Sequence, residues 1–556
     1  MALAPRPGPT PVGARTADLV FRSATVVDGT GAARYTADVA VRDGRVSAIH
    51  TDPLADRPTA RRTIDATGLV LAPGFIDMHA HSDLRLLLEP DHFAKVAQGV
   101  TCEVLGQDGL SYAPVDDTTL GQIRQQIAGW NGDPEHLDWD WRGVGEYLDR
   151  LDRGIAVNAC YLVPQGSVRM LAMGWDARPA SPEELDHQRR LVAQGMAEGA
   201  VGMSSGLTYT PGMYADTDEL TALCRTVAAW GGYYSPHHRS YGAGALEAYA
   251  EMVRVSQASG CPLHLSHATM NFGVNAGRAG ELLALLDAAI AAGCDITLDS
   301  YPYLAGSTTL AALLPSWATE GGPTRTLERL RDEPTWRRIR EVLERDGSDG
   351  CHGVPVEWET IRLSGTRSPR LAHRVGHDLA GLARLEGRPA AEIYREQLLD
   401  DDLGTTILQL VGHEENVRAI MRHPAHTGGS DGLLVGAKPH PRAWGTFPRY
   451  LGHYVRDQGV LGLEECVAHL TGRPARRLRL KDRGLIRVGH RADLVLFDPE
   501  TVADTATYDQ PRRQPIGIPY VCLGGTAVIA DGAHTGALPG RALRRTARGT
   551  EEVPTP

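Results

Sequence analysis

Leu69-Val70-Leu71-Ala72-Pro73-Gly74-Phe75-Ile76-Asp77-Met78-His79-Ala80-His81-Ser82-Asp83 runs from an apolar, strand-like segment into two histidines spaced two apart. Side chains of a strand alternate with a period of two, so His79 and His81 point to one side of the chain. Imidazole nitrogens bind zinc and other divalent first-row ions, and a catalytic site adds ligands from elsewhere and keeps a position open for water. The stretch therefore predicts a metal site at the end of a buried strand and requires partners from other parts of the chain.

Outward from this stretch, apolar strand-like runs alternate with helical Ala/Leu/Arg-rich segments, the pattern of repeated β-α units. The runs fall at 75–78, 102–105, 157–162, 202–204, 233–235, 262–266, 295–298 and 427–429. Eight such strands suit a closed parallel (β/α)8 TIM-like barrel, whose active site forms where the strands end at their C-terminal face. Ligand-capable residues stand at those ends: Asp108, His237, His267 and Asp431. A lone Asp before Gly is usually a turn residue, and a lone His a satisfied polar group. Four histidines and two aspartates, each where a strand runs out, point jointly to a metal site.

Short β-rich runs punctuated by Gly29, Gly31, Asp43 and Gly44 precede the barrel, and the same texture returns in Gly489-His490-Arg491-Ala492-Asp493-Leu494-Val495-Leu496-Phe497 and Val521-Cys522-Leu523-Gly524-Gly525. The expected α/β architecture is a barrel over 72–477 with a small β-sandwich domain built from both chain ends, 17–71 and 478–546. A charged helical stretch at about 317–374, between the seventh and eighth strands, reads as a solvated amphipathic insertion or a lid over the site. Residues 1–16 and 547–556 read as disordered tails.

Hydrophobic residues make up 42 % and charged residues 22 % of the 556, as in a soluble globular enzyme. The formal net charge of −11 offers no general attraction to nucleic acid or anionic membrane, so a small-molecule substrate is expected and neither of those partners. Residues 1–15 lack the apolar core of a secretory signal, and no apolar run reaches the roughly 18 residues of a membrane span. A cytoplasmic protein is expected. Eight cysteines without paired spacing read as structural thiols.

The motifs Pro73-Gly74-Phe75-Ile76-Asp77-Met78-His79-Ala80-His81, Gln98-Gly99-Val100-Thr101, Gly202-Met203-Ser204-Ser205-Gly206-Leu207, Tyr301-Pro302-Tyr303-Leu304-Ala305-Gly306-Ser307-Thr308, Gly429-Ser430-Asp431-Gly432 and His440-Pro441-Arg442-Ala443-Trp444-Gly445 follow one another in that order. Together they resemble the N-acyl-D-amino-acid deacylase (D-aminoacylase) branch of the amidohydrolase superfamily over roughly residues 17 to 545. The resemblance implies one or two divalent metal ions, zinc being the expected element, held by His79, His81, His237 and His267. Asp431 would be the catalytic carboxylate and a further metal contact. Asp108 stands where the family often has a metal-bridging cysteine, and a carboxylate can bridge two cations as well.

Substrate contacts are expected from Arg239, Tyr301, Tyr303, Gln165 and Ser307. Two departures bear on them: Pro164-Gln165-Gly166-Ser167 replaces a Gly-His pattern, and Thr269 stands where a lysine is frequent. Arg239 is then the expected carboxylate ligand, because its planar fork matches that group, with a structural ion pair as the alternative. Tyr301 and Tyr303 share a face by the period of two, whereas alternation turns His238 and His264 away from the metal.

The implied reaction is hydrolysis of an N-acyl-D-amino acid, or a similar N-acyl compound, by metal-activated water with Asp431 as general base and acid. The same fold acting on a cyclic amide or imide, a lactone or an acylated natural-product intermediate is the alternative. A catalytically silent scaffold barrel is a third reading, against which the retained histidines and Asp431 argue.

Overall fold

Each of the eight strand-like runs forms a strand, and the strands pair side by side in chain order. They are β1 (Phe75–Asp77), β2 (Val100–Leu105), β3 (Asn158–Pro164), β4 (Gly202–Gly206), β5 (Tyr233–His237), β6 (Leu263–Leu265), β7 (Ile296–Ser300) and β8 (His426–Gly428). Every pair is parallel, with β7 bonded directly to β8. The Met78 N–H donates to the Gly428 carbonyl at 3.2 Å, which brings β8 back to β1 and all but closes the barrel. The computed structural model describes residues 16–52 and 59–553. Among these, no helix is long and apolar enough to cross a membrane.

The period of two sorts the strand residues into two apolar clusters. Phe75, Leu105, Tyr161, Val163, Met203 and Tyr234 pack with the surrounding helices. Ile76, Met78, Cys102, Val104, Cys160 and Leu162 form a separate cluster that Leu478, Leu480 and Leu543 complete. The helices carry their own stop and start signals. Pro182–Ala197 opens on a reciprocal pair in which Ser181 Oγ accepts from the Glu184 N–H and the Glu184 carboxylate accepts from the Ser181 N–H. Ala245–Ser259 buries Ala248, Tyr249, Met252, Val255 and Ser256, a spacing of three and four, and ends at Gly260 with φ +69°.

The chain ends meet in one nine-stranded sheet, joined where Val70–Pro73 pairs antiparallel with Leu494–Phe497. Asp493 of the Gly489–Val495 motif ties that sheet to the barrel: its carbonyl accepts from the Gly74 N–H at 2.8 Å, and its carboxylate accepts from Gly524 N–H at 2.7 Å and Arg483 Nε at 3.0 Å. A Cβ at Gly74 would lie 2.2 Å from Thr101 Cγ2, so the Pro-Gly step that opens β1 is required by close packing on β2.

Two expectations about the periphery change. The insertion is not the helical stretch 317–374 alone. Ala305–Thr309, Ile361–Gly365 and Thr406–Leu410 form an antiparallel three-stranded sheet between β7 and β8, with a core of its own that includes Leu313, Trp336, Ile339, Leu363, Tyr394 and Ile407. The segment 547–556 is not a free tail over its length. Gly549–Glu552 pairs with Leu543–Thr546, and Glu552 holds Arg483 and Arg491. The tail expected at 1–16 lies outside the described residues except for Thr16, as do Pro554, Thr555 and Pro556. All eight cysteines are free, and all but Cys294 are buried.

Candidate metal centre

At the C-terminal mouth of the barrel the strand ends bring six side chains together. Nitrogen or carboxylate atoms of His79, His81, Asp108 and Asp431 lie within 4.8 Å of one another, as do those of Asp108, His237 and His267. Asp108 belongs to both groups. All six residues are buried. Three of them have a left-handed backbone, Asp108 at φ +54°, His267 at +31° and Asp431 at +48°. That conformation costs a non-glycine residue about 1–3 kcal/mol and persists where the surroundings hold it. Here the His267 N–H donates to Asp299 Oδ1 at 2.9 Å and the Asp431 N–H to the His79 carbonyl at 2.8 Å.

The spacings fit coordination better than hydrogen bonding. Asp108 Oδ1 lies 3.5 Å from His79 Nε2 and 3.4 Å from His267 Nε2; its Oδ2 lies 3.6 Å from His81 Nε2 and 3.5 Å from His237 Nδ1. Asp431 Oδ1 lies 3.2 Å from His81 Nε2 and 3.8 Å from His79 Nε2. Most of these exceed the 2.7–3.2 Å of an N–H···O bond. Two ligands each about 2.1 Å from a common ion, at tetrahedral angles, stand about 3.4 Å apart. His79 Nε2, Asp108 Oδ1 and His237 Nδ1 are moreover buried without a hydrogen-bond partner. Orphaned ligand atoms at this spacing are what a divalent ion would satisfy, so the residues present fit a metal.

Neighbouring groups aim the ligands. Thr208 Oγ1 sits 2.7 Å from His237 Nε2, which leaves Nδ1 to face Asp108. Asp299 stands behind His79, with Oδ2 3.7 Å from Nδ1, and is bonded to His264 Nε2 at 3.0 Å. Burial raises the Asp431 carboxyl, but the Arg442 guanidinium at 2.9 Å together with His81, His79 and His267 outweighs it and holds the group well below the usual carboxylate range. Asp431 is therefore an anion at neutral pH, with Oδ2 on Arg442 and Oδ1 toward the histidines.

Beneath the site Lys95 Nζ, fully buried, contacts Asp77 at 2.6 Å, Ser430 Oγ at 2.6 Å and Glu103 at 3.1 Å, and His92 contacts Glu103 at 3.0 Å. The network ties β1 and β2 to the loop that carries Asp431. Burial raises the Glu103 carboxyl, but Lys95 and His92 bring it down to about 2 from an ordinary 4.5. A depressed carboxyl stabilises fully above its unfolded value and loses that contribution as pH falls from there toward 2. Lys95→Met should cost about 3–5 kcal/mol in urea unfolding at pH 7, because it strands two buried carboxylates. A cost within about 1 kcal/mol of zero would mean that the network adds little.

The expected substrate contacts divide. Tyr301 and Ser307 line the cavity of about 720 Å³ over the metal ligands, together with Thr208, Thr269, His352 and Gln409. The other three face elsewhere. Arg239 is spent on structure: Nε binds Glu251 at 2.8 Å, Nη1 donates to the Met213 carbonyl at 2.8 Å and Nη2 to that of Ala215 at 2.5 Å. Tyr303 does not share the face of Tyr301, because the strand ends at Ser300 and the period of two stops there; its hydroxyl meets Asp504 at 3.3 Å. Gln165 is fully buried at the start of the helix Gln165–Met173 and is not among the residues of that cavity. His238 packs between Tyr241 and Tyr249, ring centroids 4.1 and 3.9 Å away.

Two residues escaped the sequence reading. Asp299 lies one position past the expected strand 295–298, so the strand-end rule would have found it. Arg442 stands in the sequence only as a member of the His440–Gly445 motif. It is fully buried, with Nη2 on Asp431 and 3.4 Å from the Ser307 carbonyl, its guanidinium 4.4 Å from the centre of the Tyr301 ring. Its Nε and Nη1 have no hydrogen-bond partner.

The model of a family described as "Amidohydrolase family" matches residues 62–529. A D-aminoacylase of Alcaligenes xylosoxydans xylosoxydans is 36 % identical over 95 % of this chain and 98 % of its own length. Among solved structures, a D-aminoacylase described with a binuclear metal centre superposes with a TM-score of 0.80 at 33 % identity, covering 95 % of this chain and 100 % of that one. An N-acyl-D-glutamate deacylase from Bordetella bronchiseptica, complexed with zinc and a phosphonate that mimics the tetrahedral intermediate, does so with a TM-score of 0.81 at 32 % identity and the same coverage.

Proposed function

The chain belongs to the amidohydrolase family, among the relatives of the N-acyl-D-amino-acid deacylases, and from that premise we propose that it hydrolyses the amide bond of N-acyl-D-amino acids. The observation that carries this reading is the place of Asp431, which lines the cavity with one carboxylate oxygen among the ligand histidines and the other on the fully buried Arg442. His79, His81, Asp108, His237, His267 and Asp431 would hold one or two divalent ions, zinc foremost, since the donor set is imidazole and carboxylate. Such an ion supplies Lewis-acid polarisation of the carbonyl and lowers the pKa of water.

The chain's own groups account for the proton and for binding. Asp431 accepts a proton from the attacking water as its oxygen bonds the carbonyl carbon. It then delivers that proton to the nitrogen as the C–N bond breaks, because an amide nitrogen leaves poorly until protonated. Arg442 keeps Asp431 ionised and aimed, and the Tyr301 and Ser307 hydroxyls, which line the cavity, are the groups we assign to the substrate carboxylate. Trp130, 5.3 Å from His81, and Tyr209, 4.9 Å from His237, shield the ligands with apolar surface.

Release of free amine from matched N-acetyl-D- and N-acetyl-L-amino acids tests the reading. The D series should be turned over at least about a hundredfold faster than the L series, a discrimination within reach of a site that fixes a carboxylate and an amide at once. Absence of turnover in both series, with metal bound, would overturn the deacylase assignment and leave Thr269, which lines the cavity, as the mark of a different substrate.

A further inference from the structure

A second cavity of about 710 Å³ adjoins the one over the metal ligands. Its walls are largely apolar, formed by Leu110 after β2, Ile127, Trp175, Met213 after β4, and Leu314 and Leu403 of the insertion. The two cavities share Trp130, Thr208, Tyr209 and Ala312. Trp130 and Tyr209 pack against each other, ring centroids 4.9 Å apart, and each touches a metal-ligand histidine. The Tyr209 hydroxyl is anchored to Thr308 Oγ1 at 3.0 Å, so this aromatic edge is fixed between the ligands and the apolar space. None of the proton or carboxylate steps above uses that space.

Geometry decides which part of a substrate would enter it. Tyr301 and Ser307, which we assign to the amino-acid carboxylate, come from the segment after β7 and from the first strand of the insertion. The apolar cavity lies toward the loops after β2 and β4. A secondary amide is planar and trans, so its acyl carbons and its amino-acid Cα leave the C–N bond in opposite directions. With the carboxylate held on Tyr301 and Ser307, the acyl group runs toward Trp130 and Tyr209.

We propose that this cavity is an acyl-chain subsite and that the preferred substrates carry an apolar acyl group longer than acetyl. The proposal rests on the deacylase reading. Apolar burial favours each added methylene by about threefold to fourfold when it is fully enclosed. Along an N-acetyl, N-butyryl, N-hexanoyl and N-octanoyl series on D-leucine, kcat/KM should therefore rise by roughly a hundredfold or more in total. Kd for the same series, measured by calorimetry on Asp431→Asn, should fall in parallel. Ala311→Phe and Met213→Trp, which fill the cavity from two sides, should each cut the octanoyl-to-acetyl ratio of kcat/KM by about thirtyfold, corresponding to two to three methylenes excluded. A variant that merely folds poorly would lower both rates and leave the ratio intact, which would count against the proposal.

Turnover of the acetyl compound with a flat chain-length profile in both kcat/KM and Kd would overturn the subsite and leave the deacylase reading standing. Binding that tightens with chain length, without hydrolysis of any member, would do the reverse. Neither binding nor turnover would remove both.

Discussion

Asp431→Asn should lower kcat for N-acyl-D-amino acid hydrolysis by about a hundredfold or more, with kcat/KM falling by a similar factor, because the lost interaction is made in the transition state. The amide keeps the shape of the carboxylate but cannot take a proton from water or return one to nitrogen. A structural cost accompanies it. Arg442 is fully buried and its Nη2 lies 2.9 Å from Asp431, so neutralising that partner leaves a buried guanidinium without its anion. Removing one partner of such a pair costs about 3–5 kcal/mol, and thermal unfolding and metal content must be read beside the kinetics. A folded, metal-loaded, inactive Asn variant is the expected result. Near wild-type kcat in that variant would take the proton transfers away from Asp431.

The barrel was readable because parallel strands are buried on both faces and appear as continuous apolar runs. All eight runs correspond to strands, and the ligand-capable residues after them converge in space because a parallel barrel sends every strand end to one mouth. The differences have two causes: alternation does not extend past a strand's end, and ion pairs join segments that no local pattern connects. Tyr303 was faced by alternation although the chain leaves β7 at Ser300. Arg239 was given to the substrate because nothing in local pattern announces that Glu251, on the following helix, would take it. Arg442 opens the helix Arg442–Arg449 after the last strand, and only the tertiary structure brings it to Asp431.

The insertion shows the complementary failure. Charge density between Trp317 and Arg374 marks the solvated helices but not the three strands that carry them. Of those strands only Ile361–Gly365 lies inside that stretch, and Ala305-Gly306-Ser307-Thr308-Thr309 has too few apolar residues to stand out. Yet that strand lays Ser307 and Thr308 on the cavity, and the loop near His352 adds another wall. The part of the chain that shapes the substrate space is thus where sequence patterning is weakest, whereas the metal ligands sit where it is strongest. Chemistry was legible for that reason and substrate was not.

Asp108 carries the largest predicted effect on the metal itself. Its Oδ1 stands between His79 and His267 and its Oδ2 between His81 and His237, at 3.4 to 3.6 Å throughout, so one carboxylate joins the two ligand groups. Asp108→Ala should take away the atom pair that two ions would share and leave four buried imidazoles facing one another. Metal bound per chain, measured after dialysis, should drop by about one equivalent, and kcat/KM by about three orders of magnitude, beyond the roughly 10–100-fold that follows loss of a group that only orients a ligand. Asp108→Cys is the sharper comparison, since the D-aminoacylase resemblance places a bridging cysteine at this position. A thiolate bridges through one soft sulfur where a carboxylate uses two hard oxygens. The Cys variant should therefore hold metal better than the Ala variant and favour zinc over manganese more strongly than the parent does. Equal metal content and rate in the Ala variant would mean that Asp108 neutralises the histidines without bridging ions, and the site would then be a one-metal centre.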